Sequence, residues 1–208
     1  MTRICVFGDS IPWGSDDLKK GGWVDRFKIY FKKTGKFNEV FNLGNPGRET
    51  VRLLKYIGNE CKVRLGLQYK HDNIVIIQIG INDACLIKNK NTFTQPEQFR
   101  KNIQKLIDIA RKYVDKIVFV GIPPVDESKT NPIYWNADAY YKNKEIKEYN
   151  KIIESVCKEK KMYFIDIYNK WIKTDYKRFL DDGLHPNSEG HQKIYSAVID
   201  FLTKNAII

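Results

Sequence analysis

The chain has 208 residues, of which 42% are hydrophobic and 13% aromatic. This composition excludes an intrinsically disordered chain, and a chain of this length buries enough surface to fold without a disulfide or metal staple. The formal net charge of +11 at pH 7 allows a nucleic-acid partner. However, lysine supplies most of the excess and is dispersed, whereas nucleic-acid sites more often carry a clustered, arginine-rich stripe. A solvated basic surface is the favoured interpretation.

Apolar periodicity predicts strands alternating with helices along the whole chain. Short β-branched and aromatic runs predict strands at 3–8, 40–43, 73–80, 116–121 and 162–167. Helical spacing of apolar residues predicts helices at 22–34, 49–65, 96–113, 138–160 and 187–203. Thr94 is the expected N-cap of the third of these helices. Five strand–helix units in this order favour one doubly wound α/β domain with a parallel sheet, covering residues 1–208.

The cysteines and histidines show no spacing typical of a zinc site, so we expect buried free thiols and no metal. His71 is interpreted as a loop residue, and His191 as a surface or packing residue. The first apolar run ends at Gly8, which is too early for a signal peptide, and no run is long enough to span a bilayer. We therefore expect a cytoplasmic protein without membrane insertion, whose oligomeric state the sequence leaves open.

The sequence of the loop after the first strand indicates whether this fold binds a nucleotide. Ligands of open α/β sheets bind beyond the carboxyl ends of the strands. That loop has neither a Gly-x-Gly-x-x-Gly nor a Walker-type phosphate motif. It carries the acidic Asp9 and also Pro12, which has no N–H to offer a phosphate. A nucleotide- or flavin-binding module is therefore disfavoured.

Three residues at the two ends of the chain have the chemistry of nucleophilic catalysis. A serine nucleophile needs a base within hydrogen-bond reach, and that base needs a carboxylate on its other ring nitrogen. Ser10 directly follows the first strand, and Asp182 precedes His185 by three residues. This offset lets the carboxylate reach Nδ1 while Nε2 faces outward, and it selects Asp182 over the neighbouring Asp181. Taken singly, each segment is also explained by ordinary turn chemistry.

Two segments between these ends fit an oxyanion hole, which requires donors about 3 Å from the developing negative oxygen. Asn82 follows the third predicted strand and has a side-chain amide to offer. Gly47 follows the second strand and has an unobstructed backbone N–H. The alternative for both is a turn in which asparagine and glycine adopt left-handed conformations.

Together these segments resemble the SGNH-hydrolase family, also called GDSL-type esterases and lipases. That family is defined by four short blocks in fixed order. They occur here as Gly8-Asp9-Ser10, Gly47, Gly80-x-Asn82-Asp83 and Asp182-x-x-His185. The resemblance spans residues 3 to about 200 and implies a three-layer α/β/α sandwich with a five-stranded parallel sheet of flavodoxin-like topology. It implies no metal and no organic cofactor.

The resemblance also implies a role for each matching residue. Ser10 would be the nucleophile, His185 the general base and acid, and Asp182 the carboxylate that orients His185. The backbone N–H groups of Ser10 and Gly47 and the side chain of Asn82 would form the oxyanion hole.

Some details stay open within this resemblance. The second block departs from the common Ser-Gly-Asp pattern, so Gly44 is an alternative to Gly47 as the backbone donor. The acyl and alcohol specificities are not readable. Candidates for the substrate-binding wall, with plain packing as the alternative, are Trp13, Arg48, Tyr134 and Trp135.

The sequence therefore predicts a serine esterase or lipase-type hydrolase that cleaves small carboxylic esters through an acyl-enzyme on Ser10. Acetylesterase, lysophospholipase and thioesterase activities all fit this prediction. The expected partner is a small-molecule ester, and no nucleic acid is expected. The alternative is a basic α/β protein that binds nucleic acid or another anionic partner without catalysis.

Overall fold

The computed structural model of the chain describes residues 2–35, 37–66 and 72–208. The strands are β1 (Arg3–Gly8), β2 (Glu39–Gly44), β3 (Ile74–Gln78), β4 (Leu86–Ile87), β5 (Asn91–Thr92), β6 (Lys116–Val120), β7 (Ala139–Tyr140) and β8 (Tyr163–Ile165). The helices are α1 (Ser10–Trp13), α2 (Gly22–Thr34), α3 (Thr50–Leu53), α4 (Ile57–Arg64), α5 (Pro96–Ala110), α6 (Glu127–Thr130), α7 (Asn143–Lys160), α8 (Tyr168–Trp171) and α9 (Ser188–Lys204), with a 3-10 helix at Tyr176–Phe179. His71, interpreted above as a loop residue, lies outside the described residues.

The main sheet has five parallel strands in the order β2-β1-β3-β6-β8. This is the flavodoxin-like order, so the predicted sheet is confirmed. The chain runs from β1 to one edge of the sheet and then returns to the other side of β1. The loops after β1 and β3 therefore flank the switch point, where open α/β sheets bind ligands.

Helices cover both faces of this sheet, which gives the three-layer sandwich. α2 packs against α9 in one layer, and α5 packs against α4 and α7 in the other. β3 is buried along its whole length, as its continuous apolar run predicts for a central parallel strand. Within this core, the indole N–H of Trp23 donates to the Gln78 side chain at 2.8 Å. All four cysteines are buried free thiols, as predicted.

Two predicted helices differ from the observed ones by more than a few residues. The predicted helix at 49–65 is two helices, α3 and α4, because Tyr56 leaves the helical conformation at φ −128°. α3 is hydrogen-bonded through Thr50 to the loop after β3, whereas α4 packs against β1 and α5. The turn between them lets one segment make both sets of contacts. The predicted helix at 138–160 begins only at Asn143, because β7 precedes it.

The strand β7 belongs to a second sheet that the sequence does not predict. This sheet is antiparallel, with the order β5-β4-β7. Its strands have two residues each, which is too short for a periodicity signal. The N-cap prediction for α5 is also wrong, since Gln95 takes that position and Thr94 is buried before it.

None of the helices in the described part of the chain combines the length and apolar composition that crossing a bilayer requires.

Candidate active site

Ser10 is held at the carboxyl edge of the sheet by a tight turn at the end of β1. Gly8 lies so close to β3 that a Cβ built on it would be 1.9 Å from the carbonyl oxygen of Gln78, so no larger residue fits. The Asp9 carboxylate then caps α1 by accepting the Ile11 N–H at 3.0 Å. Ser10 is the first residue of α1, a position where the backbone N–H has no intrahelical partner.

The structure brings Ser10, His185 and Asp182 into one hydrogen-bonded chain. Ser10 Oγ lies 2.9 Å from His185 Nε2, and His185 Nδ1 lies 2.7 Å from Asp182 Oδ2. Asp182 Oδ1 accepts the backbone N–H groups of Leu184 and His185 at 2.8 and 2.7 Å, so the carboxylate cannot rotate away. Because Nδ1 faces a carboxylate, it carries the ring proton, and Nε2 is left to accept the proton of the Ser10 hydroxyl.

The charges around His185 favour the protonated, positively charged form of its ring. Burial disfavours the charged ring, but the hydrogen bond to Asp182 and the negative charges of Asp182, Asp16 and Asp9 outweigh it and raise the pKa of His185 above 6.5. For Asp182, burial is likewise outweighed by the hydrogen bond and charge of His185, and the pKa of its carboxyl is lowered. The site is therefore suited to hold a positive charge that forms on His185 during proton transfer.

Asn82 is oriented at the edge of the same cavity by two neighbours. Its Nδ2 donates to the carbonyl of Arg48 at 3.1 Å, and the Tyr141 hydroxyl donates to its Oδ1 at 3.4 Å. These partners define which end of the amide carries the donors. A side-chain amide has two N–H groups, so one remains for a ligand in the cavity.

The geometry around Gly47 and Gly44 separates the two possible backbone donors. The Gly44 N–H donates to the Asn42 side chain at 3.1 Å, and a Cβ at Gly44 would lie 2.4 Å from the Trp13 nitrogen. Gly47 instead borders the cavity together with Ser10 and Asn82. It has φ +72° and open space on its Cβ side. This arrangement favours Gly47 as the donor.

Asp83 connects the loops that carry Asn82 and Gly47. It is fully buried, and its carboxylate accepts the Thr50 backbone N–H at 3.0 Å and the Thr50 hydroxyl at 2.6 Å. Asn102 in turn donates to that hydroxyl at 2.8 Å. Burial raises the pKa of Asp83 to about 6, although the Thr50 hydrogen bonds act in the opposite direction. Asp83 thus ties the loop after β3 to the start of α3, which follows the loop that carries Gly47.

The cavity at these residues has a volume of about 250 Å³. Its reactive side is formed by Ser10, Gly47, Asn82 and His185, and its aromatic wall by Trp135 and Tyr141. A larger cavity of about 590 Å³ lies between α8, the 3-10 helix and α9, and none of the predicted site residues lines it. Because Ser10, His185 and Asn82 all line the smaller cavity, we place the candidate active site there.

The predicted substrate-binding residues separate into one that borders this cavity and three that do not. Trp135 stacks on the His185 ring with centroids 5.8 Å apart and planes 20° apart. Tyr134 packs edge-on against Trp135 and is 81% exposed. Trp13 is also exposed, and neither Trp13 nor Arg48 lines the cavity. Trp135 was among the predicted wall residues, whereas Tyr141, which also lines the cavity, was not.

The sequence interpretation missed one carboxylate at the site. Asp16 Oδ2 lies 3.2 Å from His185 Nδ1, on the same nitrogen that Asp182 contacts. The only sequence signal was a pair of acidic residues in the first loop. Among the described residues, Asp16, Asp182 and His185 are also the group whose ligand atoms lie close enough, within 4.8 Å, to hold a metal ion. Nδ1 cannot both bind a metal and keep the proton that leaves Nε2 basic, so metal binding by this group and the hydrogen-bonded arrangement described above exclude each other.

Comparison with known proteins places this geometry in a family. The sequence profile of the GDSL-like lipase/acylhydrolase family matches residues 6–193. The GDSL esterase/lipase WDL1 of Oryza sativa subsp. japonica is 24% identical over 95% of this chain and 76% of its own length. The isoamyl acetate-hydrolyzing esterase 1 homolog of Mus musculus is 23% identical over 97% of this chain and 82% of its own length.

The solved structures agree on the fold. The crystal structure of a lipase/acylhydrolase from Enterococcus faecalis superposes with a TM-score of 0.76, covering 99% of this chain and 97% of that one at 24% identity. The alternative of a nucleic-acid-binding protein has no support among the matched family and relatives. The family match extends from β1 through the first turn of α9 and includes all four sequence blocks. The chain belongs to the GDSL-like lipase/acylhydrolase family and is an esterase/lipase-type hydrolase.

Proposed function

We propose that the whole chain is one serine hydrolase domain that cleaves short-chain carboxylic esters, with Ser10 as nucleophile, His185 as general base and acid, and Asp182 as the orienting carboxylate. The observation that carries this proposal is the hydrogen-bonded chain from Ser10 through His185 to Asp182, which opens on a cavity that also contains Asn82 and Gly47.

In the acylation step, His185 Nε2 takes the proton of the Ser10 hydroxyl as Ser10 Oγ attacks the ester carbonyl. A bond forms between Oγ and the carbonyl carbon, and the carbonyl oxygen takes the negative charge. The proton then passes from Nε2 to the leaving alcohol as the ester C–O bond breaks. Water repeats this sequence on the acyl-enzyme and releases the carboxylic acid and Ser10.

The negative oxygen of each tetrahedral intermediate needs fixed donors. We assign these to the backbone N–H groups of Ser10 and Gly47 and to the free N–H of the Asn82 side chain. The Arg48 carbonyl and the Tyr141 hydroxyl hold that amide before substrate arrives. The donors therefore need no reorganisation when the charge develops.

The size of the cavity supports a short acyl group. Pockets for drug-sized ligands measure about 300–1,000 Å³, and this cavity measures about 250 Å³. A relative that covers nearly the whole chain is named for the hydrolysis of isoamyl acetate, which is a small acetate ester. We therefore propose acetyl and similarly short acyl esters as the substrate class, ahead of lysophospholipids and long-chain thioesters.

A series of p-nitrophenyl esters from acetate to octanoate tests this proposal. The expected result is the highest kcat/KM with acetate or propionate, a steep fall with longer chains, and no turnover above background by Ser10→Ala. The exposed serine of α9, Ser196, provides a matched control, because Ser196→Ala removes a hydroxyl far from the cavity and should hydrolyse acetate like the wild type. Equal rates for the wild type and Ser10→Ala would reject the mechanism, and a maximum at octanoate would reject the substrate class.

The cytoplasmic location expected from the sequence stays a prediction. The four reduced, buried thiols are consistent with a reducing compartment. Fractionation of the source cells tests it, and recovery of the protein outside the cytoplasm would reject it.

A further inference from the structure

The Nδ1 atom of His185 faces two carboxylates. Asp182 Oδ2 is its hydrogen-bond partner at 2.7 Å, and Asp16 Oδ2, from the loop between α1 and α2, lies 3.2 Å away. The Asp16 side chain is 37% exposed and that of Asp182 10%. The proposed mechanism uses one carboxylate, so the second needs an explanation.

The position of Asp16 is fixed by both of its neighbours. The carbonyl of Ser15 accepts a hydrogen bond from Nε2 of the buried His191 at 3.0 Å. Asp17 forms an ion pair with Arg26, and the side chains of both are buried. Asp16 itself adopts φ +63°, a left-handed conformation that aspartate tolerates better than most residues. The loop therefore delivers this carboxylate to His185 from a rigid support.

We propose that Asp16 is a second positioning carboxylate of the active site, which stabilises the His185 imidazolium electrostatically while Asp182 holds its Nδ1 proton. This inference rests on the proposed function of His185 and deepens it. Two carboxylates stabilise the ring more in the protonated state than in the neutral state, which favours each step that places a proton on Nε2.

The charged surroundings of His185 allow the contribution of Asp16 to be isolated. The groups that act on the ring are Asp182, Asp16 and Asp9, while His191 has a lowered pKa and is neutral at pH 7. Burial raises the pKa of Asp16, the charge of His185 lowers it, and the charges of Asp182 and Asp181 raise it. Neutralising Asp16 leaves the Asp182 hydrogen bond in place, so the change is confined to the charge at Nδ1.

The test compares Asp16→Asn with Asp181→Asn, which removes an equal charge from an exposed neighbour of Asp182. Asparagine has the same size as aspartate and also tolerates the left-handed conformation. The pKa of His185 is read from its imidazole NMR signals, assigned with His185→Gln. We expect Asp16→Asn to lower that pKa by on the order of one unit and to move the acid limb of kcat/KM for p-nitrophenyl acetate equally far. Asp181→Asn should leave both almost unchanged.

Asp16→Asn is then combined with Asp182→Asn in a double variant. With its hydrogen-bond partner neutral, the ring depends more on Asp16, and Asp16→Asn should reduce kcat by a larger factor than in the wild-type background. Asp16→Gly is a second variant that removes the charge and relaxes φ +63°, so a folding defect in Asp16→Asn does not block the test.

A His185 pKa that shifts no more in Asp16→Asn and Asp16→Gly than in Asp181→Asn would overturn the inference. Because NMR titration requires no turnover, this result is distinct from failure of the proposed function, which would show as hydrolysis by Ser10→Ala.

Discussion

His185 and His191 are six residues apart, and both rings are largely or fully buried, yet their surroundings shift their pKa values in opposite directions. His185 Nδ1 faces carboxylates, which raise its pKa above 6.5. His191 Nδ1 accepts the Trp23 backbone N–H at 3.3 Å, and its Nε2 donates to the Ser15 carbonyl. Burial lowers its pKa to about 4. The chemistry of a buried histidine is therefore decided by the groups at its two nitrogens.

The two histidines belong to regions with different tasks. We call four of the residues that line the cavity, Ser10, Asn82, Trp135 and His185, the cavity face. We call the residues that hold the first loop, Ser15, Asp17, Arg26 and His191, the loop clamp. Charged states change on the cavity face during the proposed reaction, whereas the loop clamp keeps its hydrogen bonds throughout. Substitutions in the two regions should therefore affect different measurements.

The largest expected effect is a loss of activity, and it should occur for substitutions on the cavity face but not in the loop clamp. Ser10→Ala and His185→Gln should each reduce kcat for p-nitrophenyl acetate by about 10⁴- to 10⁶-fold, because the nucleophile and base act as a unit. At pH 8, urea denaturation should show little loss of stability for either. His191→Gln is the matched substitution in the loop clamp and should retain far more activity. Comparable losses of kcat in His185→Gln and His191→Gln would break the distinction.

A smaller effect is expected at the oxyanion donor. Asn82→Ala should reduce kcat by about 100- to 1,000-fold with little change in KM, because the lost hydrogen bond forms mainly in the transition state. Tyr141→Phe is the control, since it removes the long 3.4 Å bond that orients the amide and the hydroxyl's contact with Cys85 but leaves the Asn82 amide in place, and its loss should be smaller. Steady-state kinetics measures both. A rise in KM without a fall in kcat for Asn82→Ala would contradict the assignment.

The third effect concerns the pH dependence of stability. The pKa of His191 is about 4 in the folded chain and about 6.5 when unfolded. Its depressed value means that the unfolded state binds the proton first, so stability is lost as the pH falls from about 6.5 towards 4. That loss amounts to about 3 kcal/mol. His185 has the opposite sign, because its raised pKa stabilises the fold at low pH and this contribution is lost as the pH rises.

Urea denaturation of the wild type, His191→Gln and His185→Gln between pH 8 and pH 4.5 measures these contributions as differences. Relative to the wild type, His191→Gln should become less destabilised as the pH falls, and His185→Gln more destabilised. Taking differences removes the common contribution of Asp83, whose pKa burial raises to about 6. Difference curves with the same slope would contradict the comparison of the two histidines.

The smallest effect is expected at the aromatic wall. Trp135→Ala removes the ring that stacks on His185 and should lower kcat/KM by roughly 2- to 10-fold, since such aromatic contacts contribute about 0.5–1.5 kcal/mol. Tyr134→Ala is the control, because Tyr134 lies outside the cavity and is largely exposed. An equal loss in both variants would show that the stacking contact carries no specific contribution.

Much of this arrangement was predictable because local signals agreed with the overall fold. The apolar runs predict the main sheet, and the blocks after successive strands place Ser10 and Asn82 on one sheet edge. The break at Tyr56 and the short strand β7 were not predictable, because tertiary hydrogen bonding and pairing override local helix propensity there.

The position of Asp16 at His185 also could not be predicted from the sequence. Its place at His185 depends on the loop clamp, which joins Ser15 to His191 and Asp17 to Arg26 across large sequence separations. No local pattern encodes those contacts. The roles of Trp13 and Arg48 were open for the same reason, since loop geometry decides which side chains reach the cavity.

Covalent labelling with a fluorophosphonate shows directly whether Ser10 is an activated nucleophile, because phosphonylation requires an activated serine and the product is stable. We expect one equivalent of label, mapped by peptide mass spectrometry to Ser10, with ester hydrolysis lost in proportion to labelling. Ser10→Ala and His185→Gln should not be labelled, whereas His191→Gln should be. Label on another residue, or full hydrolysis after complete labelling of Ser10, would contradict the account.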